Sequence, residues 1–213
     1  MQPDWEPMTV AAVFTVGGGW LAARVTLAMA QRRLPLPAAM AACAVLAAWT
    51  FHVVFGATAF LLSLCLGWGL LVLAIVDWVD FRLPDLLTFP LIGCGILAAT
   101  LLPAEHLWEH AAAAVIAYTL LWIIAWAYRR LRGREGLGMG DAKLAAAAGA
   151  WLGVGPLPSV LLLASLAGIA WVAIAAIFRG RATLSERIPF GVPLSIAVWI
   201  VWLYGPLTFA SAG

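Results

Sequence analysis

Glu135-Gly136-Leu137-Gly138-Met139-Gly140-Asp141-Ala142-Lys143 sets a glycine-rich turn and a carboxylate at the head of an alanine-rich apolar run, residues 142–154. An acid beside a run that otherwise suits hydrocarbon is expensive and marks a functional site. A second acidic cluster, Asp77-Trp78-Val79-Asp80-Phe81-Arg82-Leu83-Pro84-Asp85, closes an earlier apolar run. The expectation is that Asp77 and Asp141 meet in space as a catalytic pair of carboxyl groups.

Around these two clusters the chain is overwhelmingly apolar. Of 213 residues, 65% are hydrophobic and 10% charged, and the mean hydropathy is +1.02. An ordinary soluble domain is about half apolar and about a quarter charged, so this is an integral membrane protein. Apolar runs fall at 8–30, 38–55, 58–76, 86–102, 111–128, 142–154, 159–178 and 190–210. A spanning helix takes about 20 such residues, so the fold class is all-α: a polytopic membrane helix bundle with about eight transmembrane helices. The chain, 1–213, reads as a single integral-membrane domain with no soluble domain.

Eight runs sort the loops onto two sides. Arg32, Arg33, Arg82, Arg129, Arg130, Arg132, Arg134, Arg179, Arg181 and Arg187 fall on one side, and Asp4, Glu6, Glu105 and Glu109 on the other. The positive-inside rule makes the basic side cytoplasmic, with the acidic clusters on it. The Arg129–Arg134 group reads as a topology signal touching anionic lipid, so membrane lipid is an expected partner and nucleic acid is not. Asp4 and Glu6 ahead of the first run are the reverse of a signal-peptide head, so no removable signal is expected. Cys43, Cys65 and Cys94 lie inside apolar runs without a Cys-x-x-Cys pair and read as packing residues. His106 and His110 flank Glu109 and read as interfacial polar residues, so no metal site is expected. Gly17-Gly18-Gly19 permits close helix contact. Arg24, inside the first run, either snorkels or pairs with an acid.

Two carboxyl groups that approach each other cannot both ionise cheaply, and they share a proton. Such a pair can deprotonate a water for attack on a peptide carbonyl and protonate the leaving amine. Gly138 and Gly140 would let a substrate backbone come close.

Residues 77–91 (DWVDFRLPDLLTFPL) resemble the first aspartate motif of the type IV prepilin peptidase family. Residues 135–153 (EGLGMGDAKLAAAAGAWLG) resemble its second, Gly-x-Gly-Asp-x-Lys, and Arg187-Ile188-Pro189-Phe190-Gly191 resembles a third element. The resemblance implies a membrane aspartic protease that cleaves the short basic leader of type IV pilin-like precursors at the cytoplasmic face of a bacterial inner membrane, in type IV pilus or type II secretion systems. It puts the catalytic aspartates at Asp77 and Asp141. Pro84 and Asp85 occupy the Leu-Pro-Asp element, where the family also accepts asparagine, so Asp85 is expected to support the loop. Lys143 is expected to tune the pair or anchor that loop, and Asp80 and Glu135 to attract a basic leader. Many members carry a cytoplasmic insert with paired Cys-x-x-Cys motifs and also methylate the new N-terminus with S-adenosylmethionine. The insert is missing here, so no cofactor is expected; S-adenosylmethionine enters only if methyl transfer is retained. The competing readings are another Gly-x-Gly-Asp intramembrane or signal-peptide protease, a proton-coupled transporter, and a non-enzymatic assembly factor.

Overall fold

The computed structural model describes residues 6–29, 36–101, 106–133, 138–179 and 189–207. Eight α-helices follow one another among these residues, with no strand: α1 (Glu6–Met29), α2 (Leu36–Val53), α3 (Ala57–Asp80), α4 (Asp85–Ala99), α5 (Leu107–Arg132), α6 (Met139–Leu152), α7 (Leu157–Arg179) and α8 (Gly191–Tyr204). The order and spacing follow the apolar runs. Three helices, Ala57–Asp80, Leu107–Arg132 and Leu157–Phe178, are long and apolar enough to cross a membrane, and shorter apolar helices lie beside them. The fold is an all-α membrane bundle.

The centre of the bundle is α6. It packs against α5, α4, α8 and α7, and Ala142 and every residue from Leu144 to Trp151 are buried. Hydrocarbon gives apolar helices no reason to leave lipid for one another, so association in a bilayer rests on close contact between small residues. The alanine-rich stretch supplies it. At Gly149 an added Cβ would lie 2.4 Å from the backbone oxygen of Ala113 on α5, which only glycine avoids. Trp151 closes the opposite flank: its indole N–H donates to the Leu91 carbonyl at 2.8 Å, and its ring fills the space that Gly95 of α4 leaves open.

Two further helices flank this core. α1 and α2 pack on each other and on α3. Trp68 of α3 sits where a side chain on Gly18 would be, within 2.3 Å of that position, so the expected close contact at the glycine triplet is made by an indole. Arg24 is exposed and stacks over the Trp20 ring at 5.4 Å, a cation–π contact. His110 departs from the interfacial reading. It is buried, with Nδ1 2.8 Å from the Ala150 carbonyl, because the close approach of α5 and α6 carries it into the core.

Replacing Gly149 with alanine should lower the stability of the detergent-solubilised protein by ~2–3 kcal/mol, since backbone faces backbone there. Gly93→Ala, whose new methyl would meet open space, should be neutral or slightly stabilising. Thermal unfolding of the two variants checks the contrast.

Candidate active site

The acidic clusters come together at one end of the bundle. A cavity of about 900 Å³ is lined there by the last turn of α3, residues 81–84, and the first turns of α4 and α6, with Met29 of α1 at its edge. Asp77 and Asp141 both line it and lie within electrostatic reach of each other. Their exposures, 6% and 7%, place both acids more than nine-tenths inside the protein.

The local sequence explains each position. α3 runs on through Asp77 to Asp80 and ends at Phe81, whose N–H bonds back to the Asp77 carbonyl at 2.9 Å in a left-handed turn. Phe81 is the one non-glycine residue at positive φ among the described residues (φ 52). A bulky residue there is strained, and the strain falls on the cavity wall. Pro84, with no N–H to lose, precedes α4, and its carbonyl accepts from the Leu87 and Thr88 N–H groups. On α6 the helix begins at Met139, so Asp141 occupies its third position. There its Oδ2 accepts the Gly138 N–H at 3.1 Å, as a carboxylate at the start of a helix does.

The supporting residues pack around the loop that joins α3 to α4. Gly140 faces Leu83: an added Cβ would stand 2.8 Å from the Leu83 Cβ. Its smallness lets the α3–α4 loop close on α6. Gly138 is the N-cap of α6. Asp85 is the first residue of α4, and its carboxylate pairs with the Lys143 ammonium, which also lies 5.3 Å from the Phe89 ring centre. Lys143 therefore anchors the loop to α6. Asp80 is half-buried on the cavity wall, with no ion-pair partner among the described residues. Glu135 lies outside the described residues, as do Arg187 and Ile188. Among the described residues no three His, Cys, Asp or Glu side chains gather as metal ligands.

One contact had no signal in the sequence. Gly191, the first residue of α8, touches the Asp77 carboxyl: a Cβ built on it would lie 2.7 Å from Oδ2. Only the resemblance of the 187–191 segment to a family element had singled the residue out.

The model of the type IV leader peptidase family matches residues 64–173, a stretch that holds both aspartates. The chain belongs to the type IV leader peptidase family. A prepilin leader peptidase/N-methyltransferase of Aeromonas hydrophila is 44% identical over 145 residues, 68% of this chain and 50% of the relative. Relatives with the same name in Pseudomonas aeruginosa (35% identical, 94% of this chain, 67% of the relative) and Stutzerimonas stutzeri (33%, 97% and 70%) match over more of their length. The chain thus spans about half the length of the first of these curated relatives and about two thirds of the others. No solved structure matches it.

The Lys143–Asp85 pair is testable by a double-mutant cycle with Lys143→Ala and Asp85→Ala. Asp85 is 58% exposed and Lys143 22%, so water screens the pair. The coupling should be below ~1 kcal/mol, a shift of a few degrees in the unfolding temperature.

Proposed function

We propose that the chain is a membrane aspartic endopeptidase that removes the short basic leader of type IV prepilin-like precursors. The observation that carries this reading is the pairing at the cavity: two carboxyl groups from separate helices, each deeply buried and each lining one space. Oδ2 of Asp141 takes the Gly138 N–H, while Oδ2 of Asp77 is buried beside Gly191 with no hydrogen-bond partner among the described residues. A water shared by the two carboxyl groups in that space is the proposed nucleophile.

The chemistry then balances with one proton held on the pair. The ionised carboxyl takes a proton from water as the water oxygen bonds to the scissile carbonyl carbon. The protonated carboxyl gives its proton to the amine as the C–N bond breaks. The pair ends with one proton, as it began.

Charge supports a basic leader as substrate. Lys143 neutralises Asp85, while Asp80 on the same wall keeps a carboxylate for a lysine or arginine of the leader; Glu135 is proposed to add another. Arg82 lines the cavity, Arg129, Arg130 and Arg132 lie in the last turn of α5, and Glu109 lies in its first turn, at the other end of that helix. The positive-inside rule then turns the cavity to the cytoplasm of a bacterial inner membrane. Substrates are pilin-like precursors held beside the bundle in the same lipid.

Proteolysis is the proposed activity, and S-adenosylmethionine enters only if methyl transfer is retained.

Membranes carrying the protein should cleave a model precursor with a lysine-rich leader and a Gly-Phe junction. Asp77→Asn and Asp141→Asn should each lower the rate by at least ~10³-fold, as losing one member of a catalytic unit does. Asp85→Asn should stay within about tenfold of wild type, because its partner is Lys143 and not the substrate. Near-normal cleavage by either of the first two variants, at equal expression, would sink the dyad. Asp80→Asn should raise KM several-fold for the basic leader with kcat held, the behaviour of a steering charge; an unchanged KM removes Asp80 from leader recognition.

A further inference from the structure

We infer that Gly191, with the start of α8 behind it, is a positioning residue that fixes the carboxyl of Asp77. The inference rests on the proposed proteolytic reading and adds a third helix to the dyad.

Asp77 lies in the last turn of α3, where outward-pointing carbonyls oppose a carboxylate. α3 can therefore do little to hold the side chain. The start of α8 faces it instead. α8 opens with Gly191 and Val192. The Val192 N–H bonds to the Pro189 carbonyl at 3.2 Å. Asp77 Oδ2 is buried there without a hydrogen bond that would fix it. Packing fixes it. An added Cβ on Gly191 would meet Oδ2 at 2.7 Å, Cγ at 3.0 Å and the Leu83 Cδ1 at 3.2 Å.

The glycine is needed for space and not for backbone freedom, because Gly191 does not sit at positive φ. Most of the tightly packed glycines of this bundle, such as Gly67, Gly95 and Gly149, face apolar side chains, indole rings or backbone. Two differ. Gly138 has Asp141 Oδ2 as its nearest neighbour, and Gly191 has Asp77 Oδ2. Each acid of the proposed dyad is thus backed by a glycine at a helix start.

The back wall is itself rigid. Leu194 is fully buried in the core shared with α3 and α6, and the Phe190 ring lies 3.6 Å from the position of a Cβ on Gly168 of α7. A methyl on Gly191 would not push α8 away, so the Asp77 carboxyl must move. A shift of about 1 Å in a catalytic group costs on the order of 10²-fold in rate.

The test compares wild type, Gly191→Ala, Asp77→Ala and the double variant in cleavage of the model precursor and in thermal unfolding. Gly191→Ala should lower kcat about 100-fold with KM within about threefold, since substrate binding does not depend on the carboxyl angle. It should also lower the unfolding temperature in the wild-type background but not in Asp77→Ala, where the atoms it strikes are gone. This second readout holds even if Gly191→Ala alone folds poorly, because the double variant should then recover. A kcat near wild type, or an equal thermal loss in both backgrounds, overturns the positioning role while leaving the protease reading intact. If wild type fails to cleave, the protease reading falls, and the thermal cycle alone decides whether Gly191 holds Asp77.

Discussion

Burying two carboxyl groups at one end of an apolar bundle is the constraint on which the rest of this structure depends. A charge out of water costs several kcal/mol unless something replaces the solvent. For Asp141 the replacement is backbone: it sits within the first turn of its own helix and takes an N–H from Gly138. Asp77 sits in the last turn of its helix and packs against the start of another, α8, with its Oδ2 buried and without a hydrogen-bond partner among the described residues. The two acids are thus held differently, one by a hydrogen bond within its own helix and one by packing across the bundle.

That arrangement requires close spacing, and close spacing in lipid comes from small residues. Leu83 illustrates how little slack there is. It touches the space over Gly140 on one side and over Gly191 on the other, so one side chain gauges both the α3–α4 loop on α6 and the α8 start on α3. Lys143 and Asp85 add an ionic tie across the same seam. Further into the bundle, Gly149 against α5 and Trp151 against α4 hold α6 on its axis. The site is precise because the helices bearing it have almost no room to slide.

The helices themselves were legible because hydrocarbon imposes length and composition together. Each apolar run became a helix, and the errors lie at the ends. α3 runs to Asp80 because the strained turn at Phe81 stops it there, so Asp77 is helical where the apolar run ended at residue 76. α6 starts at Met139, three residues before the apolar run, because the glycines and Asp141 form its first turn. Charge and turn residues therefore belonged to helix ends that hydropathy cannot see. The two aspartates were readable because acids are rare in such a chain. The packing of Gly140 on Leu83 was not legible, since a glycine that admits a substrate and one that admits Leu83 look identical in sequence. His110 was misplaced for a similar reason: polarity suggested the interface, while the tight α5–α6 contact decided burial.

The contact between Gly191 and Asp77 was beyond sequence reading, yet it follows once the helix directions are known. A chain that alternates direction delivers α3 to the cavity end by its C-terminus and α6 and α8 by their N-termini. An acid on α6 can use its own helix start. An acid on α3 cannot, and it packs instead against a neighbour that begins at the same level. Among the helices packed on α3, α8 both begins at that end and contacts the core holding α6. α4 also begins there, but its first acid is tied to Lys143. On this argument the proposed dyad is an assembly of three helices, and the two aspartate motifs alone would leave Asp77 without the wall that orients it.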